Sequence, residues 1–295
     1  MSAKAALFFL CVLLVPVLPV SACSFELSHQ KLESEKDFLI FSLLQLAMSK
    51  LEEPVCYKEL VDPHSDGRKT QEIAAGRLSL KWASASPKVE QQLRAVRIPI
   101  FKGLLGYRLL VIRSGEEKRF AKVETLQDLR RFRAGMGERW GDRPVLEDAG
   151  IPLILSSRGR YLWNMLIRGR FDYLPLGLHE PWQDLLRFDK QLSVEPSLML
   201  VYPMALYFYV NKNDERLFLA LNEGLEAAIA DGSYDRLLYS SNIMQQAAAK
   251  ARVGQRKIIM IPNAYLPEDT PFHRGELWLD PKSFEAAVAK VSFAY

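Results

Sequence analysis

The chain has 295 residues, 49% apolar and 25% charged, an ordinary globular balance with enough apolar material for one large or two small cored domains. Its formal charge of +4 is too small and too dispersed along the sequence to argue for a nucleic-acid partner. Taken from the N-terminus, Lys4 precedes the apolar run "AALFFLCVLLVPVLPV", broken by Pro16 and Pro19, and "VSA" supplies small residues at a cleavage position. This pattern reads as a secretory signal peptide over residues 1–22, because the run is short for a bilayer span and ends in processing chemistry. The expected location of the mature chain is the periplasm.

Cys23 has two readings. "VSAC" resembles a bacterial lipobox, whose cysteine carries lipid. Alternatively, cleavage after Ala22 leaves Cys23 free to pair with Cys56, the other cysteine of the mature chain. The disulfide is preferred, because the strand-like "SFELS" begins directly after Cys23 and leaves no linker between a lipid and the fold. Closing that loop contributes roughly 3–4 kcal/mol on the chain-entropy model.

Strand-like and helix-like patterns then alternate. "EKDFLIFSLLQLAMSKL" has apolar residues at helical spacing. "VCYKELV", "LSLKW" and "YRLLVIR" read as strands, separated by helical "RKTQEIAAG" and "PKVEQQLR". Thr125 and Asp128 suit a capping box. "RAGMG", "IPLILS", "FDYLP" and "ALYFYVN" predict further strands, interleaved with the helices "RPVLEDAG", "RYLWNMLIRGR" and finally "DERLFLALNEGLEAAIADG". Such alternation predicts an α/β fold with largely parallel sheets.

The order of these elements resembles the type 2 periplasmic solute-binding proteins of the amino-acid-binding kind. "GRLSLKWASASPKVEQQLRAVRIPIFKGLLGYRLLVI" looks like their exit from the first lobe, and "VETLQDLRRFRAGMG" like the start of the second. "MLIRGRFDYLP" resembles their helix–strand unit, and "YFYVNKNDERLFLALNEGLEAAIADGSYDRLL" their return helix. The resemblance runs from Phe25 to Leu238. It implies two α/β lobes with a cleft between them and two crossover strands. Lobe 1 would comprise residues 23–102, lobe 2 residues 103–203, and the return to lobe 1 residues 204–295. The return includes a C-terminal extension from Tyr239 that has no counterpart in the basic fold.

In that family an arginine after a Thr/Ser pair grips the ligand carboxylate, and an aspartate after the Gly-Arg-x-Asp turn holds its amino group. Here Ser84 and Ser86 are present, but the ungapped positions of the arginine and the aspartate are Val89 and Gly177; Arg94 and Arg97 would need a gap. Both anchors of a free α-amino acid are therefore missing, and a charged group in a closed cleft needs a partner.

His179 and Glu180 follow "FDYLP", at the C-terminal strand end where open α/β sheets bind ligands. Glu180 either replaces the missing acidic contact or simply starts the helix "EPWQDLLRF". In "GMGERWGDRP", Arg139 and Trp140 are candidate ligand contacts. Asp142 is either a third contact or an N-cap, and the helix start offers N–H groups to an anion. Trp82 is read as a cleft wall or a core tryptophan. Lys102 and Tyr107 lie at the first crossover and Tyr202 at the second, with Gly103 and Gly106 as hinge glycines. The ligand-binding set is thus Trp82, Ser84, Lys102, Arg139, Trp140, Asp142, His179, Glu180 and Tyr202. His29, His64 and His273 lack zinc spacing, so neither metal nor cofactor is expected.

The expected function is that of an ABC transporter-like substrate-binding protein. It would be a monomer that closes over a small polar solute and serves a membrane transporter or sensor, without catalysis. Two alternatives remain: a degenerate lobe pair binding a protein partner, and a dehydratase-like enzyme using Glu180 or His179 as general acid.

Overall fold

The computed structural model describes residues 23–61, 65–188 and 190–292; the leader read at 1–22 and His64 lie outside them. Strand β1 (Phe25–His29) alternates buried and more exposed side chains, as a pleat with one inward face requires. It pairs in parallel with β2 (Val55–Glu59). Between them the helix Glu35–Met48 begins at Ser34, whose hydroxyl accepts the Asp37 N–H. That helix buries Leu39, Leu43, Leu44 and Ala47 and packs on the helix Glu215–Ala230. A Cβ at Gly224 would lie 2.1 Å from the Ala47 carbonyl oxygen, so the two backbones approach as only glycine permits.

Cys23 and Cys56 form a disulfide with their Cα atoms 5.7 Å apart. A sulfur engaged in that bond cannot carry a lipid thioether, so the lipobox reading of Cys23 is set aside.

Further along are β3 (Leu80–Ser84), β4 (Leu93–Val96), β5 (Tyr107–Arg113), β6 (Ala134–Gly137), β7 (Leu153–Ser156) and β8 (Leu174–Gly177). They are followed by β9 (Leu192–Val194), β10 (Leu198–Val201), β11 (Leu206–Asn211) and β12 (Lys257–Met260). β11 lies between β3 and β4 and is antiparallel to both. A second sheet runs β12–β10–β5–β8, with β9 also on β5. β6 and β7 pair in parallel and meet that sheet through a bridge from Ala134 to Tyr173. Two α/β lobes result, joined by the segments that lead into β5 and out of β10.

The expectation of largely parallel sheets is corrected. Pairs β1–β2, β6–β7 and β10–β12 are parallel, but every pair made by β5 or β11 is antiparallel. These are the strands at the two passages between lobes, and each reverses direction against its neighbours. The helix predicted over "PKVEQQLR" also stops early, at Glu90, and Leu93 and Arg94 belong to β4. β8 starts three residues later than "FDYLP" suggested. The capping box at Thr125 and Asp128 is present.

The crossovers touch each other. The Tyr202 N–H donates to the Gly106 carbonyl at 3.1 Å, and a Cβ at Gly106 would come within 1.9 Å of the Tyr202 carbonyl oxygen. The C-terminal extension runs along both. β12 pairs with β10, and the Asn263 side chain donates to the Pro203 carbonyl at 2.8 Å. The Leu279 N–H donates to the Lys102 carbonyl at 3.0 Å, while the Tyr107 hydroxyl donates to the Leu279 carbonyl. The Trp278 ring lies so close to Gly103 that a Cβ there would meet it at 2.8 Å.

Replacing Cys56 with Ala should lower the unfolding free energy by about 2–4 kcal/mol, since the bond closes a loop with a sequence separation of 33. Urea denaturation under non-reducing conditions checks this. An unchanged midpoint would show that the bond constrains nothing.

Candidate functional site

A cavity of about 480 Å³ opens between the two lobes. Lobe 1 lines it with Lys36 and Asp37 from the helix Glu35–Met48, with Trp82 to Ser86 at the end of β3, and with Val89. The facing wall is Arg108 on β5, Arg139 to Asp142 after β6, and Glu180 after β8. Among the described residues, none from Val253 onward lines it, so the extension leaves the cleft open.

A buried arginine organises the floor. Arg108 is 4% exposed, and its Nη2 lies 2.6 Å from Asp142 Oδ2 and its Nη1 3.4 Å from Glu180 Oε2. The Tyr202 hydroxyl donates to the same Asp142 oxygen. Burial holds the Tyr202 phenol protonated far above its ordinary range, and Asp142 adds to that effect. Glu180 accepts the Gly177 N–H at 2.7 Å and lies 3.6 Å from Lys36 Nζ. Burial alone would raise its carboxyl. Lys36 and Arg108 outweigh that and pull its pKa down to about 2.

Other charged wall residues are held by one ion pair and by hydrogen bonds to neutral groups. Lys69 Nζ lies 2.9 Å from Asp66 Oδ1, Lys81 donates to Thr70 Oγ1 at 2.8 Å, and the Trp82 indole donates to Asp37 Oδ1 at 2.9 Å. Arg139 is exposed at the rim with no ion pair among the described residues.

The structure brings together Trp82, Ser84, Arg139, Trp140, Asp142 and Glu180 of the predicted set. Trp82 satisfies both of its readings: it is 5% exposed, its ring packs edge-on against Phe208, and it still borders the cleft. Asp142 does not cap the helix Arg143–Asp148, because its carboxylate is turned to Arg108. Tyr202 stands behind the wall as a support for Asp142. Lys102 is outside the site, bent by a positive φ of 49° and paired with Asp235 at 2.7 Å. His179 lines a neighbouring cavity.

The alternative arginines are also accounted for. Arg94 pairs with Glu215 and lies over the Phe218 ring, and Arg97 holds Glu90 and Asp269. Neither borders the cleft, whereas Val89 does. At Gly177, the space a side chain would take is approached by Glu180 Oε2, 3.1 Å from the ideal Cβ position. Arg108 and Lys36 are among the cleft residues that the sequence alone did not single out, with Asp37, Asp66, Lys69 and Lys81. An arginine inside the apolar strand "YRLLVIR" was the available signal, because a buried cation needs an anion. Among the described residues, no group of three or more His, Cys, Asp or Glu is placed to hold a metal ion, and no helix is long and apolar enough to cross a membrane.

No protein-family model and no curated protein matches this sequence. Solved structures do match it in fold. One is an ancestral arginine-binding protein bound to arginine, at 15% identity and a TM-score of 0.53, over 74% of this chain and 98% of the other. Another is a Streptococcus pneumoniae amino acid ABC transporter substrate-binding protein bound to L-arginine, at 13% identity and a TM-score of 0.53, over 76% and 94%. A third is the VFT2 domain of BvgS from Bordetella pertussis, at 13% identity and a TM-score of 0.57, over 74% and 93%. The fold is that of a type 2 periplasmic binding protein: α/β, two lobes, a cleft between them and two crossover strands.

Two outcomes test the site's energetics. Asp142→Ala leaves Arg108 buried without its nearest anion, which should cost about 3–5 kcal/mol of stability in urea denaturation. His179 gives a pH signature. Burial pushes its pKa from 6.5 down to about 4, with Glu180 opposing. The unfolded chain therefore binds a proton that the folded one does not, and stability falls as pH drops from about 6.5 to 4. The loss should be about 3 kcal/mol, and His179→Phe should flatten that part of the profile. An equally steep profile in the variant would overturn the assignment.

Proposed function

We propose that this chain is a secreted solute-binding protein that holds a small polar solute between its lobes and presents it, unchanged, to a membrane transporter or sensor. Residues 1–22 would be the removed leader. Lobe 1 would comprise 23–102 and 204–295, with β12 of the extension reaching across to the sheet of lobe 2, and lobe 2 residues 103–203. Trp82, Ser84, Arg139, Trp140 and Glu180 would touch the solute, with Asp142 and Tyr202 holding Arg108 beneath it.

One observation carries this reading: the cleft walls come from both lobes, and most of their charges are already held by ion pairs or hydrogen bonds within the walls. Lys36 with Glu180, Lys69 with Asp66 and Arg108 with Asp142 are ion-paired. Asp37 accepts from the Trp82 indole, the buried Lys81 donates to Thr70, and Arg139 has no ion pair among the described residues. A zwitterion brought into such a site meets charges that are mostly paired or hydrogen-bonded within the walls already, and a desolvated charge without a partner is costly. An uncharged or singly anionic solute suits it better, with hydrogen bonds from Ser84 and Arg139 and packing on the two indoles.

A thermal-shift screen tests the proposal. A suitable solute at about a hundred times its dissociation constant stabilises by roughly 2.7 kcal/mol and raises the melting temperature by several degrees. It should be recovered unchanged by mass spectrometry. The common free amino acids should give no such shift, because Val89 offers no guanidinium and Glu180 is already shared between Arg108 and Lys36. A shift of several degrees from an ordinary amino acid would overturn the reading of the cleft. Chemical conversion of the solute would overturn the assignment as a binding protein.

A further inference from the structure

Beside the cleft lies a second cavity of about 790 Å³. Trp163 and Phe188 stack in its wall with ring centroids 5.7 Å apart, and Leu174, Leu176 and Trp140 continue the apolar lining. The two cavities share Lys36, Trp140 and Glu180, so one ion pair and one indole form their common partition.

His179 lines this second cavity. It is 6% exposed, and neither Nδ1 nor Nε2 has a hydrogen-bond partner in the protein. A buried polar group in that condition costs free energy until something bonds it. Its surroundings keep the ring neutral near pH 7, so it offers one donor and one acceptor. A hydroxyl complements that pair, because it also donates and accepts; a carboxylate only accepts and an ammonium only donates. The adjacent Glu180 is already shared by Lys36 and Arg108 and is not free to pair with a charge brought to the imidazole. The other charged residues of the lining, Glu33, Glu35, Arg160 and the Asp184–Arg187 pair, come from other elements. The stacked aromatic wall, in turn, favours a planar ring.

We infer that this second compartment takes a phenolic ring whose hydroxyl bonds His179, while the polar end of the same solute occupies the first cavity. The inference rests on the solute-binding reading and narrows its ligand class to aryl compounds with a phenolic hydroxyl at one end and a polar, at most singly charged, group at the other.

The test uses p-cresol and toluene as probes on the purified protein, by calorimetry and by NMR. p-Cresol should bind about tenfold more tightly than toluene, the worth of one neutral hydrogen bond. His179→Phe should bring p-cresol to the level of toluene without changing toluene itself, and Trp163→Leu should weaken both. In the wild type, nuclear Overhauser contacts should run from the cresol ring to the Trp163 indole and the His179 imidazole, which needs no variant to fold. Equal affinity for the two probes, or contacts to other residues, overturns the inference. If that happens while the thermal-shift screen still finds a solute, the phenolic compartment is wrong and solute binding stands. If both fail, the solute-binding reading falls as well.

Discussion

A guanidinium buried where the lobes meet sets the terms for the residues around it. Arg108 lies on β5 opposite Gly177 of β8 and Leu200 of β10, among strands whose other side chains are almost entirely apolar. A cation in such a place is tolerated only if anions reach it. Asp142 comes from the loop after β6 and Glu180 from the turn after β8. Asp142 gives up the cap of its own helix to do so, and Tyr202 on the second crossover bonds the oxygen that Arg108 uses. One side chain thereby ties the first crossover strand, the second crossover and two turns of lobe 2 into a single unit.

The same arrangement decides which groups the cleft leaves exposed. Where the family resemblance implies an open guanidinium and an open carboxylate, this cleft has Val89 and a glutamate drawn back onto the Gly177 backbone. Two indoles frame the cleft: Trp82 is anchored by Asp37, and Trp140 packs against Gly137, where a Cβ would come within 2.4 Å of the indole nitrogen.

Much of this was legible in the sequence, and the parts that were not share a cause. Long helices with apolar spacing, such as Glu215–Ala230, and strands with β-branched or aromatic runs, such as β5 and β11, announced themselves through local pattern. The cleft residues after β3, β6 and β8 followed from topology, since loops at strand ends converge. What escaped was set by distant partners. β4 is four residues long and sits in a stretch with helical periodicity, and its pairing comes from β11, more than a hundred residues later. β9, β10 and β12 are short as well, and β9 and β10 pair with β5 from the far side of lobe 2. Arg108 read as one more polar residue in a strand until its surroundings were known. Lys102, a plausible ligand residue by position, was turned instead toward Asp235 by the bend it occupies.

The parallel pairing of β12 with β10 also bears on how the chain completes itself. β10 is held on one side by β5, and its other side is covered only by Lys257–Met260, some sixty residues later. Until those residues are in place, Leu198–Val201 is an apolar sheet margin with unsatisfied backbone N–H and C=O groups, the kind of surface that recruits strands from other molecules. The stretch from Arg256 to Ile261 therefore works as a built-in edge guard, with the Arg256 guanidinium fastened to the carbonyls of Glu195 and Leu198 as the strand arrives. A chain cut short before it would be at risk of self-association even with the walls of the inter-lobe cleft intact, since none of the residues that line the cleft belongs to the guarding segment.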